Sequence, residues 1–202
     1  YLLFDLDGTI SDPKEGITKS FQYALKHFGI QVDNLDQLEP VIGPPLKGSF
    51  MEFYHLTEEE ALIAVEKYRE RFSDKGLFEN EMYEGIPQLL SKAKERGYVL
   101  AVASSKPTVF VETILNHFGI RQFFEIVVGS ELDGSRDRKE DVVAEVLHQF
   151  SFIMQAQSGT AADFSQVVMV GDRKFDIEGA KAAGTHHIGV AYGYAAPGEL
   201  EA

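Results

Sequence analysis

Five short apolar runs punctuate the chain, at residues 1–6, 98–103, 126–129, 167–170 and 188–191. Each is rich in Val, Ile, Leu or Phe, the pattern of parallel strands covered on both faces. Between them the apolar spacing changes to that of helices. Ile86, Leu89, Leu90 and Ala93 form one stripe, closed by Gly97. Val111, Ile114, Leu115 and Phe118 form a second, opened by Pro107 and closed by Gly119; Val142, Val143, Val146, Leu147 and Phe150 form a third. This alternation predicts an α/β fold built on a doubly wound parallel sheet.

Residues 12–80 break the alternation. Ile17, Phe21, Ala24, Leu25 and Phe28 make a helical stripe capped by Gly29. Thr57 and Glu60 have capping-box spacing before a stripe of Leu62, Val65, Tyr68 and Phe72. Gly43-Pro44-Pro45 reads as a turn between helices. About 70 residues between the first two strands far exceed an ordinary crossover. The expectation is a core of residues 1–11 and 81–202 with an α-helical domain, 12–80, inserted into it. Its hinges would lie near Ser11–Pro13 and Asn80–Glu84. Residues 151–166, rich in Ser, Ala, Gln and Thr, would extend the preceding helix or form a loop.

The 202 residues carry a formal net charge of −13 and no cysteine. Disulfides and thiolate metal sites are therefore excluded, which fits a cytoplasmic protein. No apolar run approaches the ~20 residues of a membrane span, and no secretory signal is visible. Because the chain opens inside an apolar run, a few residues are expected upstream. An acidic surface repels nucleic acid, so neither nucleic acid nor membrane is an expected partner. An anionic substrate would need a local source of positive charge.

Two strand ends carry paired acids. Asp5-Leu6-Asp7-Gly8-Thr9 follows the first strand, and Gly171-Asp172-Arg173-Lys174-Phe175-Asp176 follows the fourth. Read alone, either is a plain Asp-Gly turn. Ligands of open parallel sheets bind at the carboxyl ends of strands, where the two pairs can converge. Several carboxylates stay ionised together only around a cation, and Mg2+ suits oxygen ligands. His186-His187 opens the fifth strand with adjacent side chains on opposite faces, which predicts packing rather than zinc binding.

FDLDGT, then ASSKP, then a lysine before a helix, then VGDRKFDIEGA together resemble the haloacid dehalogenase-like phosphatase superfamily over essentially the whole chain. The likeness implies a Rossmann-like core whose helical insert is a mobile cap. It implies a Mg2+-dependent phosphatase that hydrolyses a small phosphate monoester through an aspartyl-phosphate. Asp5 matches the nucleophile, and Asp7 the general acid and base. Ser104, with Thr9 and Ser105 beside it, matches the phosphoryl-binding group. Lys139 matches the neutralising lysine, chosen over Arg136, Arg138 and Lys106 because it precedes the Val142 stripe. Metal ligation falls to Asp5, Asp7 through its backbone carbonyl, Asp172 and the supporting Asp176. Lys47, beside the Gly-Pro-Pro turn, is a candidate for the leaving group.

Asp12-Pro13-Lys14-Glu15-Gly16-Ile17 and Ile42-Gly43-Pro44-Pro45-Leu46 carry a finer likeness to phosphoglycolate phosphatase-like members and to 5′-nucleotidases. Phosphoglycolate and nucleoside 5′-monophosphates are thus the expected substrates, with the chain a monomer or homodimer. A phosphomutase would share all the motifs, and a catalytically silent phosphate-binding module would lack at least one. A dehalogenase has no use for Asp7 or Asp172. Receiver domains lack the insert and the motif order.

Overall fold

The computed structural model describes residues 1–201. Five parallel strands form the central sheet: β1 (Leu2–Phe4), β4 (Leu100–Pro107), β5 (Ile126–Ser130), β6 (Val168–Gly171) and β7 (His186–Gly189), in the order β5-β4-β1-β6-β7. Strand β1 is central because both its faces and both its edges are taken. Leu3 aligns with Ala101 on one side and Met169 on the other. Alternation then sorts the side chains. Leu3, Ala101, Ala103 and Met169 join Val142, Val146 and Phe150 of α6 (Lys139–Ser158) on one face. Phe4, Leu100 and Val102 join Val111 and Leu115 of α5 (Thr108–His117) on the other. Helix α4 (Ile86–Glu95) adds Leu90 to this second cluster, while α7 (Lys174–Ala182) packs on β6 and β7. The doubly wound sheet is as expected from the alternation.

Several positions differ from the sequence pattern. Strand β7 is exposed along its whole length: β5, the other edge, has both α5 and α6 packed on it and is largely buried, whereas β7 is packed chiefly by α7. His186 and His187 are accordingly both exposed, so the packing role expected for them is wrong. Leu62 and Leu89 lie in their stripes but are about half exposed, 52% and 49%, on the rims of their helices. Helix α6 runs on to Ser158, so the first half of the ambiguous segment is helix; a loop and a short 3-10 turn, Phe164–Gln166, lead into β6.

Helices α1 (Lys14–His27), α2 (Leu46–Tyr54) and α3 (Glu58–Arg71) fill the interval between β1 and β4. Thr57 caps α3 reciprocally: its Oγ1 accepts from Glu60 N (3.3 Å) and its own N–H donates to Glu60 Oε2 (2.8 Å). Phe21 stacks on Phe50 at 3.9 Å between centroids and meets Tyr68 edge-on, joining the three helices. A π-helical turn, Phe72–Gly76, ends this segment. The chain enters and leaves it as a two-stranded antiparallel ribbon, β2 (Ser11–Asp12) against β3 (Glu81–Met82). No helix among the described residues is long and apolar enough to cross a membrane.

Candidate active site

Strands β1 and β6 are neighbours in register, so the acids that follow them arrive side by side. One carboxylate oxygen from each of Asp5, Asp172 and Asp176 lies within 4.8 Å of the others, and all three residues are buried. Lys139, in the first turn of α6, comes in beneath them. Its Nζ lies 2.8 Å from Asp5 Oδ1, 2.8 Å from Asp176 Oδ1, and donates to the Ala103 carbonyl at 2.9 Å. Arg136 and Arg138 turn elsewhere, to Glu131 and Glu140.

Asp172 is gripped from three directions. Its Oδ1 accepts from Thr9 Oγ1 at 3.3 Å, and its Oδ2 accepts from the backbone N–H of Tyr194 at 2.7 Å. Gly8, at φ +81°, closes the cradle: a Cβ there would sit 2.1 Å from Asp172 Oδ2. Only glycine permits both that backbone and that approach. Asp176 Oδ2 accepts from Arg173 N at 3.0 Å, fixing the carboxylate at the start of α7.

Strand β4 supplies the facing wall. Its register with β5 shifts between Ala103 and Pro107, a bulge that turns Ser104, Ser105 and Lys106 into the site. Ser104 Oγ accepts from Lys106 N at 3.3 Å. Lys106 Nζ lies 2.8 Å from Asp7 Oδ2 and 4.5 Å above the Phe72 ring. A cavity of about 60 Å³ opens between these groups and the helical segment. Asp5, Asp7 and Ser104 line its floor; Gly43, Pro44, Pro45, Tyr68, Arg69 and Phe72 close it from above.

The electrostatics follow from burial. Desolvation pushes the Asp172 carboxyl up to about 7, and the Asp5 carboxylate adds to it. Desolvation raises Asp176 to about 6, against the pull of Lys139. Asp7 is also raised by burial, with Lys106 holding it back. Burial would lower Lys139, but Asp176 and Asp5 more than reverse that and hold it above the ordinary lysine value. Buried Asp7 Oδ1 has no hydrogen-bond or ion-pair partner among the described residues, and Asp5 Oδ1 and Asp176 Oδ1 share the single ammonium of Lys139. Three buried carboxylates with one ammonium among them fit a hard cation.

The structure thus brings together Asp5, Asp7, Ser104, Ser105, Lys139, Asp172 and Asp176. Thr9 is buried behind Asp172 rather than open to the cavity. Lys47 is outside it: its Nζ lies 2.5 Å from Glu58 Oε1, and it lines a neighbouring surface groove. Two contributors had little sequence signal. Lys106 stood only as a rival to Lys139, and nothing marked the Tyr194 backbone as a partner of Asp172.

Residues 2–190 match the model of the family described as haloacid dehalogenase-like hydrolase. A 5′-nucleotidase from Pseudomonas aeruginosa is 45% identical over 201 residues, covering 100% of this chain and 86% of that protein. The pyrophosphatase PpaX from Listeria welshimeri is 32% identical, covering 98% and 86%. A crystal structure of a predicted phosphatase from Clostridium acetobutylicum superposes with a TM-score of 0.92 at 45% identity, covering 100% and 88%. With the fold, the carboxylate cluster and these relatives in agreement, the chain belongs to the haloacid dehalogenase-like hydrolases and, within them, to the phosphoric monoester hydrolases.

Proposed function

We propose that the chain is a magnesium-dependent phosphatase that passes the phosphoryl group of a small ester first to Asp5 and then to water. The observation that carries this reading is the cluster of Asp5, Asp172 and Asp176 within 4.8 Å, joined by Lys139. In the first step an Asp5 carboxylate oxygen bonds to phosphorus as the ester P–O bond breaks. Asp7, whose carboxyl is pushed up by burial against the pull of Lys106, gives its proton to the departing oxygen. In the second step Asp7, now a base, takes a proton from the water that attacks phosphorus, and the Asp5 oxygen leaves. Lys139 offsets the repulsion between the Asp5 carboxylate and the phosphate dianion, and Ser104 donates to a phosphoryl oxygen. Magnesium, held by Asp5, Asp172, the Asp7 backbone carbonyl and the supporting Asp176, would draw further charge from the phosphoryl oxygens.

The helical segment, 12–80, serves as the cap, and the β2–β3 ribbon as its hinge. Arg69 lines the cavity, its Nη1 held by the Leu132 carbonyl. The small cavity favours a compact ester such as phosphoglycolate. Similarity to a 5′-nucleotidase favours a nucleoside 5′-monophosphate, which would need the cap to swing wider. The test is phosphate release from phosphoglycolate, nucleoside 5′-monophosphates, pyrophosphate and sugar phosphates, with magnesium and with chelator. Release that needs both magnesium and Asp5 supports the reading. Equal release with Asp5→Asn sinks it.

A further inference from the structure

Two arginines join the helical segment to the sheet, one from each body, and each ends on a main-chain carbonyl of the other. Arg173, next to Asp172 at the start of α7, donates from Nη1 to the carbonyl of Ile42. Its Nε donates to Glu199 Oε1 at 2.8 Å. Glu199 is itself held by the backbone N–H groups of Lys174 (3.0 Å) and Ala196 (2.8 Å). Arg69, on α3, donates from Nη1 to the carbonyl of Leu132 at 2.7 Å, in the loop after β5.

The sheet order places these contacts on either side of Asp5. Asp5 leaves the central strand, Arg173 follows its neighbour β6, and Leu132 follows β5 at the far edge. Ile42 leads directly into Gly43, Pro44 and Pro45, which roof the cavity. The fit at that turn is close. Gly43 sits at φ +104°, and a Cβ on it would lie 3.1 Å from Arg173 Cγ and 3.3 Å from Nη1.

We propose that Arg173 and Arg69 are positioning residues, a reciprocal pair of latches that holds the helical segment closed over Asp5 from both sides. This rests on the phosphatase reading of the site. Both acceptors across the seam are backbone carbonyls, so the latches read main-chain position, with Arg173 itself steadied by the Glu199 carboxylate. Arg173 also ties the loop that carries Asp172 to the turn that roofs the substrate. Two donors of one planar guanidinium serve Glu199 and Ile42 at once, a geometry a single ammonium cannot reproduce.

The experiment uses the full chain. Because the protein has no cysteine, spin labels can be placed at Glu66→Cys on α3 and Glu178→Cys on α7, both exposed sites. Distances are measured with magnesium, alongside kcat, KM and urea midpoints. Arg173→Ala and Arg69→Ala should each broaden the distance distribution toward longer values and lower kcat/KM roughly tenfold or more, the scale of one charged hydrogen bond. The double variant should show the product of the two losses, and Arg173→Lys should fail to restore closure. Gly43→Ala should act in the same direction as Arg173→Ala. A lowered urea midpoint with an unchanged distance distribution would reduce the arginines to structural residues and overturn the proposal. So would kcat/KM within about twofold of wild type for both Arg→Ala variants. If the unaltered protein hydrolyses no ester, the phosphatase reading fails, and the distance measurement still decides the latch.

Discussion

Replacing Lys139 with methionine removes the cation at the centre of the acidic cluster while keeping the bulk of the side chain. In the native arrangement its Nζ lies 2.8 Å from both Asp5 and Asp176, with only 5% of the side chain exposed. The variant would leave the carboxylates of Asp5, Asp172 and Asp176 facing one another across less than 4.8 Å. Breaking a buried ion pair by removing one partner costs about 3–5 kcal/mol. That loss should be largest in chelator at pH 8 and above, because the native values of about 7 for Asp172 and about 6 for Asp176 rise further once Lys139 is gone. At pH 5 both carboxyls accept protons instead, and the loss should shrink. Magnesium should recover part of it at pH 8, because a bound cation stabilises the folded state by mass action, about 2.7 kcal/mol at one hundred times its Kd. Urea unfolding at both pH values, with and without magnesium, reads all these effects. Turnover should fall by about a hundredfold or more even with magnesium present. A loss below about 1 kcal/mol in chelator at pH 8, the scale of an exposed pair, would refute the argument that Lys139 holds the cluster together.

Other expectations follow from the same geometry. Asp172 and Asp176 are raised above their ordinary value of 3.8, so the metal-free folded protein binds more protons than the unfolded chain. Their stabilising contribution is therefore complete below about pH 4 and is lost as pH rises through 6 and 7. Urea midpoints in chelator should fall across that window, less steeply in Asp172→Asn, and a flat wild-type profile would contradict this. Gly8→Ala forces a left-handed alanine, worth about 1–2 kcal/mol, and drives its Cβ into Asp172, so the rise in Tm on adding magnesium should vanish. Retention of that rise would show that Asp172 can move without cost. Ser104→Ala removes a single donor to the phosphoryl group and should lower kcat/KM by about tenfold to a hundredfold with an unchanged urea midpoint. Unchanged kinetics would remove Ser104 from the site.

Much of the fold was legible because its signals are local. The run before Asp5 is a parallel strand whichever partners it finds, and the Thr57–Glu60 cap depends only on residues three apart. Paired acids at two strand ends were readable for the same reason, and adjacent strands then brought them together. The limits are equally physical. Apolar composition alone cannot separate β7, an exposed edge, from a buried strand, because exposure depends on what packs on it. Leu62 and Leu89 follow helical spacing, but the width of the buried stripe is set by the packing partner. Choosing Lys139 over Arg138 turned on one residue of helical phase, which the Val142 stripe supplied. Lys106 meets Asp7 only because the β4 bulge redirects it, and Arg173 meets Ile42 across 131 residues of sequence. No local pattern encodes either contact.

The central claim is that Asp5 carries the phosphoryl group between ester and water. Its most direct test is a single-turnover reaction of Asp7→Asn with a labelled ester and magnesium. The labelled ester is an aryl phosphate, whose leaving group departs without a proton from Asp7, so the first step proceeds; without the Asp7 carboxylate to activate water, the second step slows and the intermediate accumulates. Acid quenching and peptide mapping should then place base-labile label on the peptide that contains Asp5, and on none in Asp5→Asn. Phosphate release by the unaltered protein, with no label on Asp5 at any quench time in Asp7→Asn, would contradict the account.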